Sequence, residues 1–139
     1  MIFTETKIGH LFESEWYFVF FGNRHSNPNM IAEMFPSLQF AYLQQVHGNR
    51  VVCADVKQRL EADAHITDKS QIGLVVVSAD CMPVLVANEV SKSICAIHAG
   101  WRGVESRIVP AAISELNLNS TLSANSVFIG PHIGAKSFE

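Results

Sequence analysis

The sequence predicts an α/β domain, a central sheet accompanied by helices, over residues 1–139, and three observations carry that expectation. Hydrophobic residues make up 48% and charged residues 17% of the chain, a balance that fills an interior and excludes a disordered polypeptide. Apolar runs at 73–78, 84–87 and 93–97 have the unbroken Val/Leu/Ile character of strands buried on both faces, and together they form the expected core sheet. Val104, Ile108, Ala111, Ala112 and Leu116 then recur at helical spacing through 102–116. A chain of 139 residues buries a core without cross-links, so a single domain over 1–139 is the default.

The elements follow in order. Residues 1–7 contain an early acid, Glu5, and no long apolar run or small-residue cleavage pattern, so they do not read as a signal peptide and a cytoplasmic location is expected. Residues 16–21 are aromatic and β-branched and close on Gly22-Asn23, which predicts a strand and a turn. The stretch 24–29 is a polar connection containing Pro28, and 30–35 predicts a short helix that Pro36 stops. Residues 39–46 and 50–56 flank His47-Gly48-Asn49 as two strands joined by a tight turn, with the histidine at its lip. Residues 57–71 are polar and mixed in charge, and predict a loop. Within 102–116, Pro110 removes an amide donor and predicts a kink or a restart at Val109. Residues 126–129 form the last short strand, and no internal repeat or low-complexity tract is present.

Several function classes fall away at this level. The net charge is −3 and Lys7, Lys57, Arg59 and Lys69 are scattered, so no basic stripe awaits nucleic acid. No apolar run approaches the ~18 to 20 residues of a membrane span. The longest candidate, 72–86, is broken by Ser78, Asp80 and Pro83. Cys53, Cys81 and Cys95 are an odd set without framework spacing and are expected to be thiols.

The residues with chemical potential sit at strand ends. Asp80 and Cys81 follow the strand at 73–78, where open sheets present side chains to ligands. His98 ends the strand at 93–97 and precedes Gly100-Trp101-Arg102-Gly103, and His47 ends another strand. With neighbouring strands, Cys81 and His98 emerge on one rim and three ligands converge. Two imidazoles and one thiolate suit zinc and leave a fourth tetrahedral position for water, the pattern of a catalytic site in which the water pKa falls toward ~7. Met82 raises the alternative of a copper site with two histidines, a cysteine and a methionine. Such sites gather their ligands on one short loop, whereas His98 lies a whole strand from Cys81, so copper ranks below zinc.

Each of these residues also has an ordinary reading. A buried cysteine is usually a small hydrophobe, and Cys53 and Cys95 are assigned to the core on that ground. His47 alone reads as an exposed turn histidine and His98 alone as a core histidine. Asp63 and Asp80 read as turn acids, Trp101 as packing and Arg102 as a helix-start charge. His10, His25, His65 and His132 read as solvated. Only the conjunction of His47, Cys81 and His98 carries the metal reading.

Five motifs taken together resemble the YfiH/YlmD family, once labelled polyphenol oxidase or laccase. They are Gln45-Val46-His47-Gly48, Ala62-Asp63-Ala64, Ala79-Asp80-Cys81-Met82-Pro83, His98-Ala99-Gly100-Trp101-Arg102-Gly103 and Ile129-Gly130-Pro131-His132-Ile133-Gly134. The resemblance runs from about Gln39 to the C-terminus. It implies a layered mixed sheet with flanking helices, akin to the catalytic domain of the cytotoxic necrotizing factors, and zinc held by His47, Cys81 and His98. It implies phosphorolysis of adenosine, inosine, guanosine or methylthioadenosine together with adenosine deamination, with a purine nucleoside and phosphate as partners; a role in peptidoglycan precursor editing is also attached to the group. In that chemistry zinc-activated water attacks C6 of adenine with Asp80 or Asp63 handling protons, and Arg102 or the metal holds phosphate.

The chain also departs from the family pattern. A Gly-Gly-Val-Ser-rich loop and a Leu-Asn-Leu segment of the family are compressed here into 21–38, with Arg24 as the one equivalent. Family members continue well beyond the Gly-Pro-x-Ile-Gly motif, whereas this chain ends at Glu139, so the fold is expected to be incomplete at its C-terminus. An open sheet edge would then favour a homo-oligomer. Two alternatives stand beside the zinc enzyme: a metal-free cysteine hydrolase or deamidase using Cys81 and His98, and a non-catalytic binding protein.

Overall fold

The computed structural model describes residues 1–117 and 125–138, and the chain divides into two compact units, 1–38 and 39–139. The first unit is an antiparallel meander, β1 (Ile2–Thr6), β2 (Gly9–Glu13) and β3 (Phe18–Gly22), followed by α1 (Pro28–Met34). Asn27 caps α1 by accepting the Met30 N–H at 3.0 Å, and Pro28 occupies the first turn, where its missing donor costs nothing. Phe35 stacks on Phe18 with centroids 4.5 Å apart and meets Phe20 edge-on, which fastens the end of the helix to the meander. β1 and β2 were not expected, because they lack the alternation that separates a strand from a loop.

The second unit holds two sheets. The larger runs β11 (Asn125–Ile129), β9 (Met82–Asn88), β10 (Ser93–Ala99), β7 (Ala64–Thr67), β5 (Val51–Cys53); all its pairings are antiparallel except β5 with β7. The smaller is parallel and runs β6 (Leu60–Glu61), β4 (Gln39–Gln44), β8 (Ile72–Val75). α2 (Trp101–Glu105) and α3 (Ile108–Leu116) follow β10.

α3 packs chiefly on β10, β7 and β5. Cys95, Ile97 and Ala99 of β10, Val84 and Val86 of β9 and Ala64 of β7 form the core with Ile108, Ala112 and Leu116 of α3. Because side chains alternate along a strand, His98 points to the opposite face of the sheet from Ile97 and Ala99. His65 likewise alternates with Ala64, and β8 packs against β7 and β10. The expected α/β class is therefore present, and no helix among the described residues is long and apolar enough to cross a membrane.

Several element-level expectations are corrected. The strands at 39–46 and 50–56 do not form a hairpin, since β4 and β5 belong to different sheets and the His47 turn carries the chain from one to the other. The run at 73–78 joins β4 rather than the core sheet with β9 and β10, because its parallel register with β4 pairs it elsewhere. The polar stretch 57–71 contains β6 and β7, and its Asp63, just before β7, and His65, within β7, are fully buried despite their polarity. His65 is thus not solvated, and Cys53, at the end of edge strand β5, is exposed rather than core. The break that Pro110 predicts is real: Arg107 adopts φ 68°, and α3 starts afresh at Ile108 with Pro110 in its first turn.

Candidate metal centre

The antiparallel pairing of β9 with β10 sets Met82 opposite Ala99 and Pro83 opposite His98. Cys81, just before β9, and His98, near the end of β10, therefore lie at one rim of the sheet, as strand adjacency requires. His47 reaches the same rim from the turn after β4. The donor atoms of His47, Cys81 and His98 all lie within 4.8 Å of one another. The two imidazole rings meet edge-to-face with centroids 4.9 Å apart. Bonds of about 2.0 to 2.3 Å to one tetrahedral ion need somewhat closer donors, a contraction that small side-chain rotations supply. His98 is buried, Cys81 half-buried and His47 exposed, so the cluster opens from the sheet toward solvent.

Asp63 anchors two of the three. Its Oδ1 faces His98 Nδ1 at 2.8 Å and accepts the His47 N–H at 2.9 Å, while Oδ2 accepts the N–H of Gly48 at 2.9 Å and of Val46 at 3.2 Å. The His98 N–H also donates to the Asp63 carbonyl at 2.7 Å. Burial alone would raise the Asp63 pKa, yet the bonds from His98 and from the Gly48, Val46 and His47 amides hold it below the usual carboxylate range. An ionised carboxylate only accepts, so this contact calls for the proton on His98 Nδ1 and leaves Nε2 as the free ring nitrogen. Such a carboxylate behind a histidine is what metal-binding imidazoles commonly have.

The backbone fits the same purpose. A Cβ at Gly100 would lie 3.0 Å from His47 Cδ2 and 3.1 Å from Cys81 Sγ, so only glycine lets the start of α2 lie against both donors without crowding them. Gln45 acts as a peptide mimic: its Nε2–H donates to the Val77 carbonyl and its Oε1 accepts the Val77 N–H, both at 2.7 Å, tying the segment before Cys81 to the end of β4. The Asn49 amide donates to the Ser106 carbonyl at 3.0 Å and joins the His47 turn to the end of α2. The chemistry of the donor set and this glycine cradle fit a divalent zinc ion. Met82 packs against the hydrophobic core, on the face of the sheet away from His98.

The other expected site residues differ in exposure. Asp80 is exposed beside Cys81, and its carbonyl accepts the Ile133 N–H at 3.0 Å, which brings the Gly-Pro-His-Ile-Gly segment alongside. Arg102 lies exposed in α2, its guanidinium carbon 5.1 Å from the Trp101 ring centroid. Asp63 is fully buried and faces His98 rather than solvent. Gln45, Asn49 and Gly100 were not singled out individually by sequence reasoning; the only signal was motif membership for Gln45 and Gly100 and a place in the His47-Gly48-Asn49 turn for Asn49.

Comparison with known proteins places these residues in a family. A family model described as multi-copper polyphenol oxidoreductase laccase matches residues 23–139. A purine nucleoside phosphorylase of Rickettsia conorii is 38% identical over 115 residues, covering 81% of this chain and 48% of its own length. One of Clostridium acetobutylicum is 35% identical over 118 residues, covering 83% of this chain and 50% of its own length. Among solved structures, a Neisseria meningitidis protein aligns with TM-score 0.68 at 28% identity, covering 84% of this chain and 51% of that one. YlmD from Geobacillus stearothermophilus aligns with TM-score 0.70 at 24% identity over 79% of this chain and 46% of its own, which shows the shared fold. The chain thus spans about half the length of the curated relatives it matches.

Proposed function

The chain belongs to the polyphenol oxidoreductase laccase family, the YfiH family, and from that premise we propose that it is a zinc-dependent purine nucleoside phosphorylase with adenosine deaminase activity at the same site. The observation that carries the metal half is the meeting of the His47, Cys81 and His98 donors within 4.8 Å. The substrate half rests on the names of the relatives.

When bound, zinc supplies Lewis acidity and one open coordination position beside the substrate. The remaining roles fall to side chains. Arg102 offers a planar fork that binds phosphate bidentately. Trp101, 57% exposed, presents an apolar face to a purine ring. In phosphorolysis a phosphate oxygen bonds to the anomeric carbon as the glycosidic C–N bond breaks, its electron pair leaving with the base, which then takes up a proton. We assign the handling of that proton, and of the protons moved in deamination, to Asp80.

One observation favours a second reading. Asp63, His98 and Cys81 also form the order acid, imidazole and thiol used by cysteine nucleophiles, which would make this a metal-free hydrolase or deamidase. Metal analysis and incubation with adenosine and phosphate separate the two. The expected result is stoichiometric zinc, lost in Cys81→Ala, with adenine, ribose 1-phosphate and inosine formed by the native protein and absent from His98→Ala. A metal-free protein alkylated rapidly at Cys81 would overturn the zinc reading, and zinc without product above the His98→Ala control would overturn the enzyme.

A further inference from the structure

Four lone-pair directions are available on an ionised carboxylate, and on Asp63 all four are used: Oδ1 by His47 N–H and His98 Nδ1, Oδ2 by Val46 N–H and Gly48 N–H. Its side chain has 0% exposure. A carboxyl group so engaged has no free face for a substrate proton. The three amides are consecutive, and His47 between them has φ 61°, a left-handed conformation that costs an L-residue roughly 1–2 kcal/mol. Successive N–H groups converging on one anion form a nest, and here the nest is the turn that presents His47.

We infer that Asp63 is the positioning residue that assembles the metal centre, fixing the His47 turn through three amides and the His98 tautomer through Nδ1, rather than a proton carrier. The inference rests on the zinc reading for its purpose, while its geometric content stands without metal. His47 and His98 are 51 positions apart in the chain, and one residue sets the approach of both. An amide cannot replace it. If Nδ2 of an asparagine took the place of Oδ2, it would face two backbone donors. If it took the place of Oδ1, it would face the His47 N–H and force the His98 proton onto Nε2, the otherwise free ring nitrogen.

The test uses the full chain, Co2+ as probe, and histidine labelled with 15N. In metal-free native protein, long-range 1H–15N spectra should show His98 as the Nδ1–H tautomer; an Nε2–H form would overturn the inference. Asp63→Asn should change that pattern and weaken Co2+ binding about 10- to 100-fold with altered thiolate-to-cobalt absorption, while Asp63→Glu partly restores both. Native Co2+ affinity and an unchanged His98 tautomer in Asp63→Asn would also overturn it. Should Asp63→Asn fail to fold, the native tautomer measurement still decides. Failure of the native protein to give a thiolate-to-cobalt band would count against the zinc reading and leave the tautomer result to judge Asp63.

Discussion

His65 is fully buried in β7, and neither ring nitrogen has a hydrogen-bond partner among the described residues. Burial pushes its pKa down from 6.5 to about 4; the Val75 backbone opposes this in part, from outside hydrogen-bonding geometry. The unfolded chain then binds a proton near pH 6.5 that the folded chain refuses until about pH 4. The stability this residue permits is full above the unfolded value and falls as pH drops through that window, by about 2 kcal/mol at pH 5. His65→Leu should remove that loss, so urea denaturation at pH 7 and pH 5 should differ by about 2 kcal/mol less in the variant than in the native chain. An unchanged difference would show that another group controls the acid limb. At this scale the sequence named His47, Cys81, His98 and Asp63 through residue type and motif, but not their partners. Burial of His65 and saturation of Asp63 are consequences of strands packing from elsewhere, and nothing local to either residue signals them.

Among the elements, the segment between β8 and β9 decides where Cys81 stands. Ser78, Ala79 and Asp80 make no regular pairing, and the segment is held by Gln45, whose two bonds to Val77 copy those of a strand neighbour. Gln45→Ala removes both, at about 1 kcal/mol each. The expected outcome is faster amide exchange at Val77, with the exchange of Cys95 and Ile97 in β10 unchanged. Equal acceleration in β10 would mean that Gln45 supports the sheet as a whole. The two-helix answer to 102–116 was readable from Pro110, because proline is tolerated only near a helix start; the break itself falls at Arg107, three residues earlier. Partnership of strands was not readable. Residues 73–78 are as apolar as those of β9 and β10, and composition does not say that their neighbour is β4.

For the whole molecule, every residue of the candidate site and the entire core cluster fall in the unit 39–139. A chain of residues 39–139 alone should therefore fold and bind Co2+ within several-fold of the full protein, measured by the same thiolate-to-cobalt absorption. Loss of binding with loss of folded signal would show that residues 1–38 complete the structure. The sequence by itself determined the α/β class, the donor types and the family, because each is written in short contiguous runs: buried-strand composition, helical spacing and motif strings. Only the tertiary structure decided that β9 and β10 pair antiparallel so that Cys81 and His98 share a rim, that the His47 turn crosses between sheets, and that one buried carboxylate ties His47 to His98. Those are relations between segments tens of residues apart, settled by which faces bury together rather than by any local preference.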